Sequence, residues 1–76
     1  MNINELNDEN IMYLDGVMEY VEDIKEKCNL ILNSNDKNYV NMLVIECIEM
    51  CKNMKLDIEM VNKNCYDITE KTNMEE

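Results

Sequence analysis

Tyr39-Val-Asn-Met-Leu-Val-Ile-Glu-Cys-Ile-Glu-Met-Cys51 is the densest apolar run in the chain. Its residues open a pattern that continues downstream. Val40, Cys47, Met54, Val61 and Ile68 occupy one heptad position, and Val44, Cys51, Ile58, Cys65 and Thr72 another. Steps of three and four residues place such side chains on one stripe of an α-helix. The spacing predicts a helix over about 39–70, followed by a frayed tail at 71–76. Asn62, Lys63 and Asn64 mark where that helix could break, with a short third helix beyond.

Upstream, Asn33-Ser-Asn-Asp-Lys-Asn38 is the one clear loop, because such side chains bond their own backbone and favour turns. Ser34 or Asp36 can cap the helix that follows. Before the loop, residues 3–32 repeat the helical pattern. Ile3, Asn10, Val17, Ile24 and Ile31 form one core row, and Asn7, Leu14, Val21 and Cys28 the other. Ile11, Met18 and Leu32 widen this stripe on one side, and Leu6, Tyr13 and Tyr20 on the other. Asn2 with Glu5 has the spacing of a capping box.

The composition agrees. The 76 residues contain no Pro and one Gly, Gly16, so a chain of many turns is hard to build. The fold class is all-α: an antiparallel two-helix hairpin, joined by a short loop, in one domain spanning 1–76. So short a chain buries little surface by itself. Helix 2 also carries apolar residues outside its stripe. Met42, Ile45, Leu56 and Met60 fall on its back and sides, and Leu43, Ile48 and Met50 flank the seam. A single companion helix cannot cover all of these. The expectation is a homodimer forming a four-helix bundle, with Met42, Ile45, Ile48, Met50, Leu56 and Met60 at a protein interface.

Charge is uneven. The net charge is -10, and residues 1–24 contain no Lys. Glu5, Asp8, Asp15, Glu19, Glu22 and Asp23 line the outer face of helix 1, whereas helix 2 mixes both signs. Such a balance disfavours direct contact with nucleic acid or an anionic membrane, since both are polyanions. It suits a solvated face, or docking on a protein with a basic patch. Mimicry of nucleic acid, as in some phage inhibitors of nucleases, is an alternative. The carboxylates of Glu5 to Glu26 fall one per about 4 Å. Duplex DNA carries one charge per about 1.7 Å and a single strand one per about 3.4 Å, so one helix approaches only single-strand density.

The Cys residues offer a third reading. Cys47 and Cys51 share one helix face, and the hairpin brings Cys28 near them, so Cys28, Cys47 and Cys51 could form a thiol metal or redox group. Cys65 lies about 21 Å further along the helix from Cys51. The alternative is small apolar side chains filling the helix seams.

Nothing points to catalysis. His and Arg are absent, no Gly-rich phosphate loop or nucleophile motif occurs, and the acid pairs sit on outer helix faces. No cofactor is expected. The first ten residues carry no basic-then-apolar leader, and the longest apolar-rich run holds Glu46 and Glu49. The expected location is the cytoplasm, that of the host if the gene is viral. The function expected is a non-enzymatic protein–protein interaction module, a small regulator or inhibitor.

Overall fold

The computed structural model describes residues 1–75, with side chains to residue 73. Two helices account for nearly all of it: α1 (Ile3–Leu32) and α2 (Lys37–Glu75). They form an antiparallel hairpin with extents of 60 × 14 × 14 Å. The radius of gyration is 17.4 Å, against about 11 Å for a compact chain of this length. No helix among the described residues is long and apolar enough to cross a membrane.

The ends of the helices follow from local side-chain chemistry. Asn2 caps α1: its Oδ1 accepts from the Glu5 backbone N–H at 2.8 Å, and its Nδ2 donates to Glu5 Oε1 at 2.8 Å. This satisfies a free amide of the first turn, as the pairing of Asn2 with Glu5 predicts. At the other end Asn33 stops the helix without any left-handed residue. Its Nδ2 donates to the Asn29 carbonyl at 2.7 Å, an acceptor it shares with its own backbone N–H at 3.2 Å as the last turn closes. Asp36 then starts α2 by accepting from the amides of Asn38 and Tyr39 at 3.0 and 3.2 Å.

Two boundaries differ from those predicted. α2 begins at Lys37 rather than Tyr39, because Asp36 is the residue that caps it. It continues to Glu75, through most of the stretch expected to fray, and Glu76 lies outside the described residues. Thr69 and Thr72 bond back to the carbonyls of Cys65 and Ile68, which they can do without leaving the helix. The helix runs unbroken through Asn62–Asn64, the place where it could have ended. Asn64 turns inward, where its Nδ2 donates to Asn10 Oδ1 and Glu9 Oε1, each at 3.0 Å. A residue that favours turns when wet is held in the helix by partners on α1.

The seam between the helices is rotated from the predicted one. One row is as expected in each helix: Ile3, Asn10, Val17, Ile24 and Ile31 face Val40, Cys47, Met54, Val61 and Ile68. The second row is not. Leu6, Tyr13, Tyr20 and Lys27 turn inward in α1, and Leu43, Met50, Asp57, Asn64 and Lys71 in α2. Leu14, Val21 and Cys28, with Val44, Cys51, Ile58 and Cys65, are exposed instead. The reason is that both candidate rows sit beside the shared one, and a lone pair of helices can use only one of them. The chosen row supplies Leu6 and Leu43, the buried layer of Asn10 and Asn64, and the cross-helix pair Lys27–Glu46 at 3.1 Å. The alternative row offers Asn7 where Leu6 now sits.

The resulting core is thin. Leu6 and Leu43, each 3% exposed, are the buried apolar side chains among the described residues. No buried side-chain polar atom lacks a partner among the described residues.

Candidate protein-interaction face

The rotation of the seam gives the hairpin two unlike flanks. In an antiparallel pair, residues just beyond the seam on the same turn direction meet on the same side. On one flank a groove runs between the helices, lined by Cys28, Ile31, Val44, Cys47, Ile48 and Cys51. Residues seven positions away repeat that side, which adds Leu14 and Val21 on α1 and Ile58 and Cys65 on α2. One step further out, Ile11, Met18 and Leu32 continue it, Met18 being 66% and Leu32 81% exposed. The apolar face therefore runs from Ile11 to Leu32 on α1 and from Val44 to Cys65 on α2. Lys25 and Lys55 stand at its outer edges.

The opposite flank is polar. Glu9 and Asp67 border a cleft with Met60, Lys63 and Asn64 near the open end of the hairpin. Nearer the loop, Lys27 bridges to Glu46. This contact raises the Lys27 pKa above its ordinary value, chiefly through the hydrogen bond to Glu46, with Asp23 adding to it and desolvation opposing it.

The predicted interface residues separate in space. Ile48 lies in the apolar groove, 49% exposed. Met42, Ile45 and Leu56 are exposed on the outer back of α2. Met50 is half-buried in the seam, and Met60 is half-buried on the charged flank. The contiguous apolar patch is made instead of residues whose heptad spacing had assigned them to the hairpin's own seam. Their periodicity is visible in the sequence; which side of the shared row turns inward is not. Glu5, Asp8, Asp15, Glu19, Glu22 and Asp23 are all exposed along α1, with Glu22 beside Lys25 at 3.9 Å.

The four cysteines are free, and Cys28, Cys51 and Cys65 are exposed rather than packed in the seam. Cys28, Cys47 and Cys51 do line one groove. Yet among the described residues no three His, Cys, Asp or Glu side chains are placed to hold a metal ion. Desolvation pushes the Cys47 thiol above its ordinary pKa, and neighbouring Cys28 adds to this. A reactive or metal-binding thiol needs the opposite shift.

The total accessible surface is 5915 Å². A compact monomer of 9.1 kDa exposes about 4,900 Å². The surplus is of the size that one partner contributes to a stable protein interface, about 800 Å².

No protein-family model matches the sequence, and comparisons with curated proteins and with solved structures give no match.

Proposed function

We propose that this protein is a non-enzymatic interaction module that works as a dimer, two hairpins closing one four-helix bundle through their apolar flanks. The observation that carries this reading is the unpartnered face from Leu14 to Cys28 and from Val44 to Cys65, repeated heptad by heptad on both helices. Scattered apolar residues are ordinary on a protein surface. A continuous stripe on two adjacent helices is not, because it leaves each helix apolar over more of its circumference than one neighbour covers. Each such side chain gains roughly 1.5–3 kcal/mol on full burial, against about 5 kcal/mol for the whole stability of a small domain. A hairpin that kept this face wet would forgo a contribution comparable with its entire margin.

The acidic residues of α1 then face outward from the bundle. There they keep the assembly dispersed and present carboxylates to a protein with a basic patch, the kind of target a small regulator or inhibitor would engage. Light scattering coupled to size-exclusion chromatography tests the assembly. The expected mass is twice that of the chain, falling only on strong dilution. A monomer at tens of micromolar, with full helix content, would end this reading.

A further inference from the structure

We infer that Cys28 of α1 and Cys47 of α2 form a two-thiol site, in the apolar groove, for a soft monovalent cation of the Cu(I) class. The site is complete within one chain and does not depend on the dimer proposed above. The internal symmetry of the hairpin brings the two thiols together. Each residue of α1 has a counterpart 37 positions further on in α2: Leu6 matches Leu43, Glu9 matches Glu46, Lys27 matches Asn64 and Cys28 matches Cys65. An approximate two-fold axis across the seam exchanges the helices. Leu6 and Leu43, which it relates, are the buried apolar side chains among the described residues. The contact of Lys27 with Glu46, at 3.1 Å, is repeated by that of Asn64 with Glu9, at 3.0 Å.

The same operation carries the pair Asn10 and Cys65 onto Cys47 and Cys28. Asn10 Nδ2 lies 3.8 Å from Cys65 Sγ. The equivalent placement turns the Cys28 and Cys47 sulfurs toward each other across the helices, somewhat further apart, because a thiol is shorter than a carboxamide. Both residues line one groove, and Cys28 is near enough to act on the ionisation of Cys47. A direct bond between the sulfurs would hold the β-carbons within about 4.5 Å, closer than side chains that meet end to end. An ion between them fits the wider gap: two metal–sulfur bonds of about 2.3 Å in line span about 4.6 Å. Zinc takes four ligands in a structural site, and no three candidate ligands gather among the described residues. Soft thiolates select Cu(I), which two of them in line can hold.

The surroundings suit that ion. Ile31, Val44 and Ile48 give the groove an apolar lining that limits hydration of the sulfurs. Two thiolates on one Cu(I) leave a net negative charge, and Lys52 and Lys55 of the groove, with Lys27 near Cys47, offset it. Desolvation keeps Cys47 protonated in the hairpin alone. A bound cation reverses that shift, because a coordinating thiol is deprotonated outright. Each thiol loses its proton to solvent as its sulfur bonds to the ion, so both protons leave for each Cu(I) held. Cys65 is the built-in contrast: the residue across the seam from it is Asn10, so a second thiol is missing there.

Competition titration tests the site on the reduced protein, with the Cu(I)–bicinchoninate complex as donor under anaerobic conditions. The expected uptake is a single Cu(I) per chain, with an affinity that does not change on dilution. Cys28→Ser and Cys47→Ser should each weaken it by at least about a hundredfold, since losing even an outer partner of a metal ligand costs about 10–100-fold. Cys51→Ser and Cys65→Ser should leave it nearly unchanged. Equal losses from Cys28→Ser and Cys65→Ser, or a loss from Cys51→Ser as large as that from Cys28→Ser, would overturn the pairing. Affinity that falls on dilution would mean that the two thiols come from different chains, and would overturn it too. So would uptake no tighter than that of a chain keeping Cys65 alone, since the cysteines would then act separately. As a second measurement, Asn10→Cys places a second thiol beside Cys65 and should double the uptake per chain. A helical Asn10→Cys variant with unchanged uptake counts against the placement read from the two-fold axis.

Discussion

The two flanks of this hairpin arise from one seam and differ in almost everything else. On one side, the positions next to the seam hold Leu14, Val21, Cys28, Val44, Cys51 and Ile58. On the other they hold Glu9, Asp23, Glu46 and Asp67, and there the side chains find partners within the chain: Glu9 with Asn64, Glu46 with Lys27. The charged flank meets partners within the chain, and the apolar flank stays exposed. Polar groups can be satisfied by one neighbour or by water. Apolar surface is stabilised only by removal from water, and a second helix alone does not remove enough of it.

The largest expected effect breaks that contrast directly. Ile48→Asp places a carboxylate in the apolar groove. It should weaken self-association by about a hundredfold or more, on the order of 3 kcal/mol. Leu56→Asp, on the outer back of α2, should leave association nearly unchanged. Sedimentation or light scattering across a dilution series reads both. A larger loss from Leu56→Asp than from Ile48→Asp would mean that the outer back of α2, not the groove flank, is the contact surface.

The polar layer near the open end gives the next effect. Asn64 is 3% and Asn10 8% exposed, and their side chains bond across the helices. Asn10 Nδ2 also lies 3.8 Å from Cys65 Sγ. Asn64→Ala removes donors from Asn10 and Glu9, and should cost about 1–3 kcal/mol in chemical denaturation. Replacing both Asn10 and Asn64 with Leu should instead raise the melting temperature. A buried polar pair specifies register at the expense of stability. The double variant should therefore also show more than one helix register, visible as extra amide peaks in NMR spectra.

The fold was legible in the sequence because its signals are redundant. The single Gly, the missing Pro and two long heptad patterns around Asn33–Asn38 all point to one hairpin. Asn2 with Glu5 and Asp36 were readable as caps because capping is local. The seam was half legible. Ile3, Asn10, Val17, Ile24 and Ile31 are core under either reading. Periodicity alone cannot say whether Leu6, Tyr13 and Tyr20 or Leu14, Val21 and Cys28 turn inward beside them. That choice is made by pairs distant in sequence, such as Asn10 with Asn64 and Lys27 with Glu46. For the same reason Met42, Ile45, Ile48, Met50, Leu56 and Met60, grouped by spacing as one surface, lie on different sides of α2, with Ile48 alone in the apolar groove. The continuity of α2 through Asn62–Asn64 was legible in its unbroken heptads, whereas the buried partner in α1 that holds Asn64 was not.

Gly16 sharpens the comparison from within α1. It is half-buried in mid-helix, with ordinary helical backbone. A Cβ added there would lie 3.7 Å from Asp57 Oδ2, an ordinary contact. Gly16→Ala should therefore stabilise the protein by about 0.5–1 kcal/mol through the backbone alone. The residue lies on the charged side of the seam, so association should not change. A gain in thermal stability together with weaker association would show that α1 must bend at Gly16 to meet its partner.

The smallest effect is the response to alkaline pH, and the two flanks enter it separately. Lys27, on the charged side, has its pKa raised above its ordinary 10.5, chiefly by the hydrogen bond to Glu46. Cys47, in the apolar groove, has its pKa raised above its ordinary 9.0, chiefly by desolvation. Both groups hold their protons more tightly when folded than when unfolded. Their contributions are therefore complete below the unfolded values and are lost as pH rises through the folded ones. Stability should be flat near neutrality, begin to fall above about pH 9 and fall further beyond about pH 10.5. Cys47→Ala should remove the earlier part of the decline, and Lys27→Met the later part. Association distinguishes the groups further. Closing the apolar flank deepens the desolvation of Cys47 and leaves Lys27 outside the interface. Thiolate formation at Cys47, followed by its ultraviolet absorbance in a variant lacking the other cysteines, should move to higher pH as protein concentration rises. If the thiol titrates identically in dilute and concentrated samples, the groove that holds Cys47 is not the surface covered on assembly.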